Sequence, residues 1–263
     1  MDGVIWRGDA PIGDLKRIFA LIQERGLKYA FATNNGSRTP EQYVERLGEY
    51  GVSIEKWQIV TSALGVAELL AERFSIISAS PSEPQKTEKI KIFAIGEAGV
   101  LLALQDKGFE TLSVESADQG QAVVMGIDRQ INYEKMCAAT LLVRRGIPFF
   151  ATNPDKTFPT PRGEIPGTGA WISVVVTASG IEPTYAGKPL PTLLELARQR
   201  LGTTKEETLV VGDRLETDIA GGQAAGMPVA LVLSGVSSRE SGEAWRPRLD
   251  CIALDLVELV GYD

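Results

Sequence analysis

The 263-residue chain contains no histidine and only two cysteines. Without imidazole, Ser-His and Cys-His nucleophilic catalysis are excluded, as is every zinc site that uses histidine. Chemistry must rest on carboxylates, lysine, hydroxyls, backbone amides or a hard metal. Cys137 and Cys251 lie far apart in sequence, so no disulfide framework is expected and a reducing compartment fits. Positive charge is in the minority, with 27 Lys and Arg against 34 Asp and Glu and a net charge of −7. That balance argues against a nucleic-acid partner, which needs clustered basic residues, and leaves room for a small anionic substrate wherever positive charge is local. No apolar run reaches the roughly 18 residues of a membrane helix, and no signal peptide precedes the first motif. A cytoplasmic location with no membrane partner is therefore expected. The length suits one large domain or two small ones.

What is present centres on Leu209-Val-Val-Gly-Asp213-Arg-Leu-Glu-Thr-Asp218. The apolar residues before Gly212 suit a strand covered on both faces, and the stretch from Thr217 suits a helix. An acid left where a parallel strand ends is well placed for a ligand, because open α/β sheets bind at the carboxyl ends of their strands. Asp218 could equally sit in a first helical turn and favour its dipole.

Along the chain, Asp14 caps a helix that Gly26 stops, and Leu27 to Ala32 reads as a strand delivering Thr33-Asn34-Asn35-Gly36 into a loop. Pro40 fits the first position of the next helix. A strand from Gln58 to Ser62, an exposed Ser- and Pro-rich stretch from Ser78 to Glu88, and strands at Ile90 to Ile95 and Ala122 to Met125 follow. Asn132 caps a helix reaching Arg145, and Pro148 to Ala151 is a further strand. Thr152 to Gly169 is a long Pro- and Gly-rich loop, long enough to be functional. After Gly187-Lys188-Pro189 come a helix stopped by Gly202, the central stretch, a strand at Val229 to Leu233, an exposed Ser-Gly-Val-Ser-Ser segment, and a last strand and helix from Cys251 to Val260. Alternating strands and helices predict an α/β fold with parallel sheet. Gly96-Glu-Ala-Gly99 lacks the full spacing of a dinucleotide-binding loop.

Polar clusters thus follow apolar strands at Thr33-Asn34-Asn35, Lys188 and Asp213 with Asp218, while Asp2 stands at the terminus with no strand before it. Such a set matches metal-assisted phosphoryl transfer: oxygen-only ligands suit Mg²⁺, hydroxyl and amide groups can hold phosphate oxygens, and a lysine can neutralise developing charge. Each piece alone is weak, since a lysine before proline is usually a surface residue and Thr-Asn-Asn usually a turn.

Together and in this order they resemble the haloacid dehalogenase superfamily of phosphatases, and within it the NagD-like, p-nitrophenyl phosphatase and pyridoxal-phosphate phosphatase subfamily. The carrying residues are Asp2-Gly3-Val4-Ile5-Trp6, Phe31-Ala-Thr-Asn-Asn35, Gly187-Lys188-Pro189, Gly212-Asp213 with Asp218, and Leu233-Ser-Gly-Val236. Further signatures are Met125-Gly-Ile-Asp128, Tyr133-Glu-Lys135 and Ala151-Thr-Asn-Pro-Asp155. The resemblance implies a Rossmann-like parallel-sheet core, residues 1–62 and 183–263, interrupted by an inserted α/β cap domain, residues 63–182. It implies Asp2 as general acid and base, with its main-chain carbonyl on Mg²⁺, and Thr33, Asn34 and Asn35 as binders of the phosphoryl group of a small phosphorylated metabolite. Lys188 would stabilise the transferred charge, Asp213 would ligate Mg²⁺, and Asp218 would support the metal waters. The loop around Asn153 to Pro166 would help choose the leaving group, and a homodimer through the cap would fit the family.

The family pattern is Asp-x-Asp-Gly. With Met1 as x, the nucleophile that would form the aspartyl-phosphate falls one residue before the chain begins, with the apolar strand that delivers it. The expectation is a sequence truncated at its N-terminus, inactive as written and a phosphatase in full-length form. A non-catalytic phosphate-ligand-binding homologue is the alternative.

Overall fold

The computed structural model describes residues 1–74, 88–160 and 163–261. The chain adopts an α/β fold with parallel sheets and divides into two compact units, Met1–Thr33, Pro40–Val60 and Lys188–Asp263 forming one, and Asn34–Thr39 with Thr61–Gly187 the other.

In the first unit, strands Val210–Gly212, Val229–Val232 and Cys251–Ala253 lie side by side and parallel, with Val210 opposite Val229 and Ala230 opposite Cys251. Val229–Val232 is the middle strand and is buried at every position, as an unbroken apolar run with cover on both faces should be. Strand Phe31–Thr33 pairs with Ile59–Thr61. Helix Leu15–Glu24 starts where the Asp14 carboxylate accepts the Arg17 N–H, and it turns Leu15, Ile18 and Phe19 inward. Those side chains join Trp6, Phe31, Leu47 and Val232 in one apolar cluster. A second cluster, including Leu194, Val210, Ile219 and Leu231, packs beneath the central strand.

The second unit is built on a five-stranded parallel sheet in the order Thr184–Tyr185, Phe149–Ala151, Ala122–Met125, Lys91–Ile95, Glu110–Leu112. Side-chain alternation sorts its core onto two faces. Ile92, Val124 and Phe150 meet helices Ser62–Arg73 and Ala98–Asp106, whereas Phe93, Val123 and Phe149 meet helices Tyr133–Arg144 and Thr168–Ser179. Asn132 caps the helix Tyr133–Arg144 through the Lys135 N–H.

Three differences from the sequence reading share one cause. Leu27 to Ala32 is regular only at Phe31–Thr33, because only there does a partner strand exist. Conversely Trp6–Arg7 pairs with Ala10–Pro11, and Thr157–Thr160 with Gly163–Pro166, in stretches whose Gly and Pro content hid the pairing. Most of the Ser78 to Glu88 stretch lies outside the described residues. Among the described residues no helix is long and apolar enough to cross a membrane.

Candidate active site

Strand Val210–Gly212 ends on Asp213, and the chain then makes a wide helical turn, Leu215–Ile219, that carries Asp218 back beneath it. Gly212 permits this return: a Cβ there would lie 2.1 Å from Asp218 Cβ. The Asp218 carboxylate closes the turn, accepting the N–H groups of Asp213 and Arg214 on Oδ2, both at 3.2 Å. Its Oδ1 receives Lys188 Nζ at 2.7 Å, and the same ammonium donates to the carbonyl of Ala32 at 3.3 Å. One lysine therefore joins the end of strand Phe31–Thr33 to the turn after strand Val210–Gly212. Thr33, Lys188, Asp213 and Asp218 are all buried.

The segment after strand Val229–Val232 completes the enclosure. Val236 N–H donates to Asp213 Oδ2 at 3.0 Å, Ser237 N–H to the Asp213 carbonyl at 3.0 Å, and Leu215 N–H to Ser237 Oγ at 3.1 Å. Ser234 Oγ donates to the Gly3 carbonyl at 2.6 Å. Gly3 and Gly235 flank the Asp213 carboxylate so closely that a Cβ would stand 2.3 and 2.0 Å from its Oδ2. The Ser-Gly-Val-Ser-Ser segment is thus only in part the exposed stretch its composition suggests: Ser234, Gly235 and Ser237 are half-buried, while Val236 and Ser238 are open. Small polar residues read as loop because their long-range partners leave no trace in local composition.

The two acids are driven in opposite directions. Burial, then the charge of Asp218, raises the Asp213 pKa above the ordinary carboxylate value despite the Val236 N–H. Burial is the largest influence on Asp218 too, but the Lys188 ammonium, the amino terminus and the Arg214 N–H together outweigh it, so its pKa falls. Asp2 is exposed and its Oδ1 accepts the Trp6 indole N–H at 3.0 Å. Asp2, Asp213 and Asp218 do not converge as three side chains on one point: among the described residues no group of three or more His, Cys, Asp or Glu is placed to hold a metal ion.

Asn34 and Asn35 belong to the second unit. There the Asn34 amide donates to Asp155 Oδ2 at 3.2 Å, and its carbonyl accepts Asn153 Nδ2 at 2.8 Å and Ser62 Oγ at 2.5 Å. Asn35 Oδ1 accepts the N–H and hydroxyl of Ser37 at 3.0 and 2.7 Å, the local turn expected of asparagine in a loop. Asn153 and Asp155, read from sequence as part of a leaving-group loop, here grip Asn34.

The chain matches two family models, a haloacid dehalogenase-like hydrolase over residues 1–110 and a HAD-hydrolase-like family over residues 185–259. It is 36% identical to the 5'-nucleotidase YutF of Bacillus subtilis (strain 168), covering 91% of this chain and 87% of that protein. It is also 36% identical to an acid sugar phosphatase of Staphylococcus aureus (strain USA300), over 91% of this chain and 86% of the other. Among solved structures it resembles a glycerol phosphate phosphatase from Mycobacterium tuberculosis in complex with magnesium, with a TM-score of 0.87, 31% identity, and coverage of 100% of this chain and 75% of that one. The chain belongs to the haloacid dehalogenase-like hydrolases.

Proposed function

We propose that the protein is a Mg²⁺-dependent phosphatase that hydrolyses a small-molecule phosphate monoester through an aspartyl-phosphate. The observation that carries the reading is the buried Lys188–Asp218 pair, with side chains 9% and 12% exposed, set beside a second buried acid at a strand end. An ammonium fixed this firmly is preorganised for negative charge that develops on a transferring phosphoryl group. The relatives named as phosphatases, and the one complexed with magnesium, support the same chemistry.

The donor chemistry fits Mg²⁺. Carboxylate and carbonyl oxygens are hard ligands, and Asp213 is a buried acid whose negative charge is under-compensated, held in a cradle that a side chain at Gly3 or Gly235 would fill. Asp213 and the Asp2 main-chain carbonyl would hold the ion, and Asp218 would bear on its waters. The bound ion would neutralise phosphate charge and align the ester. Thr33 would bind phosphoryl oxygens, and Lys188 would take up the charge that builds on them.

In the family pattern an Asp carboxylate would attack phosphorus as the acid-base Asp, by position Asp2, gives its proton to the leaving oxygen. Asp2 would then take a proton from the water that releases phosphate.

The test uses the protein expressed from its own gene and measures phosphate released from p-nitrophenyl phosphate and from sugar, nucleotide and glycerol phosphates. Mg²⁺-dependent turnover that Lys188→Met and Asp213→Asn each abolish is expected. Absence of turnover on every ester defeats the proposal, and Mg²⁺-dependent binding without turnover would favour a phosphate-binding homologue instead.

A further inference from the structure

Asp2 is exposed, and an exposed carboxylate ordinarily samples several rotamers. Here it is tied to a residue that cannot move. Trp6 is 1% exposed and sits in the apolar cluster with Leu15 and Phe31. Its carbonyl accepts the Gly3 N–H at 2.8 Å while its indole N–H donates to Asp2 Oδ1 at 3.0 Å, so one residue fixes the peptide after Asp2 and the Asp2 side chain as well.

The ring is itself braced. The Arg46 guanidinium lies 4.1 Å from the ring centroid, with its side chain 16% exposed, and Nη2 donates to the Gly8 carbonyl at 2.5 Å and to Asp9 Oδ1 at 3.3 Å. Tyr50 stands 6.2 Å from the ring, and its hydroxyl donates to the Asp9 carbonyl at 2.7 Å. Arg46 comes from helix Pro40–Glu49 and Tyr50 follows it, so helix and hairpin together prevent the indole from turning. A buried indole N–H does require an acceptor, but a backbone carbonyl would serve that purpose equally. Using the one side chain proposed as acid and base leaves Asp2 Oδ2 aimed by a rigid group, and that oxygen makes no hydrogen bond to a described residue.

We propose that Trp6 is the positioning residue of Asp2. Its N–H holds Oδ1 so that Oδ2 is presented to the leaving oxygen, to which it gives its proton, and then to the water from which it takes one. Arg46 holds the ring in the orientation this requires. The inference rests on the phosphatase reading above.

The test compares an alkyl phosphate, glycerol phosphate, with p-nitrophenyl phosphate, whose phenolate departs with less need of a proton. The wild-type protein expressed from its own gene and the variants Trp6→Phe, Asp2→Ala and the double variant are assayed on both. Trp6→Phe keeps an aromatic side chain, though a smaller one, and removes the N–H. It is expected to lower kcat on glycerol phosphate about 10-fold with KM changed less than about 2-fold, since general acids contribute about 10²–10⁴-fold and this one is misaimed rather than lost. The fall on p-nitrophenyl phosphate should be markedly smaller, and adding Trp6→Phe to Asp2→Ala should cost nothing further. A merely structural role would depress both substrates alike and would add to Asp2→Ala; either result overturns the proposal.

Labelled indole N–H resonances give a readout that needs no turnover and no Trp6 variant. Asp2→Ala should move the Trp6 resonance and leave those of Trp57, Trp171 and Trp245 in place; an unmoved Trp6 resonance overturns the proposal. Should Trp6→Phe fail to fold, Arg46→Met takes its place with the same pattern expected. A wild-type protein that turns over neither ester defeats the phosphatase reading itself, and the positioning role of Trp6 with it.

Discussion

Replacing Lys188 by methionine should destabilise the first unit sharply, for reasons that can be worked through. The ammonium and the chain's amino terminus are the cations that lower the Asp218 pKa, while burial is the largest influence and acts the other way. Without Lys188, Asp218 becomes a buried carboxylate supported by two N–H groups at 3.2 Å. Breaking a buried pair by removing one partner costs about 3–5 kcal/mol. With a urea slope of about 2–3 kcal/mol/M, that is a fall in midpoint of about 1–2 M. Tryptophan fluorescence on a Trp171→Phe background reads the first unit alone, because Trp6, Trp57 and Trp245 all belong to it. Adding Asp218→Asn removes the stranded charge and keeps an acceptor for both N–H groups, so the double variant should recover to within about 1–2 kcal/mol of wild type, the scale of one lost hydrogen bond. The dependence on pH carries the sign. In the wild type the Asp218 pKa is lowered, so its contribution is complete above the ordinary carboxylate range and lost only as pH falls through the depressed value. In Lys188→Met burial prevails, the pKa rises, and the deficit should shrink as the medium is acidified through it. A loss below about 1 kcal/mol, or a double variant no better than Lys188→Met, refutes the assignment of this pair as a buried, mutually dependent unit.

Three further outcomes follow from the same geometry. Asp213→Asn should raise the metal-free melting temperature of the first unit by a few degrees, the scale of about 1 kcal/mol, while abolishing phosphate release. The raised pKa means that ionised Asp213 opposes folding, so the gain should be largest near neutral pH and vanish as pH falls through that pKa, which calorimetry across pH will show. Mg²⁺ should raise the melting temperature of the wild type but not of Asp213→Asn, and a chelator should abolish turnover until Mg²⁺ is restored. Gly235→Ala brings a Cβ to 2.0 Å from Asp213 Oδ2, and should cost about 1–3 kcal/mol in urea melts along with most of the activity.

Much of this is legible in the sequence. The strand leading to Asp213 could be read because its signal is local, an apolar run closed by glycine and an acid, and the helix caps at Asp14 and Asn132 follow rules spanning three residues. What could not be read depends on partners distant in sequence. Lys188 before a proline looks like a surface residue, and only the fold brings it to Asp218, 30 positions on. The hairpins at Trp6–Pro11 and Thr157–Pro166 carry proline and glycine where local preference argues against strand. Ser234 is visible as part of a family pattern, Ser237 is not, and the local composition of both argues for open loop.

The least predictable feature is the division between two like residues five positions apart. Asp213 and Asp218 share a strand end and a turn, and nothing in their spacing says which serves the structure and which the chemistry. The environment decides. Asp218 receives a lysine and two backbone N–H groups, so its charge is satisfied within the protein and its pKa is lowered. Asp213 is raised by burial first and by the second negative charge beside it, and receives one N–H on its carboxylate. When the surroundings of neighbouring acids push their pKa values apart, their roles diverge with them. The satisfied acid fixes the loop and the lysine, whereas for Asp213 the Val236 N–H, the amino terminus and Arg214 offset burial and the Asp218 charge only in part. Gly3 and Gly235 press close on its Oδ2 and hold the carboxylate at the strand end.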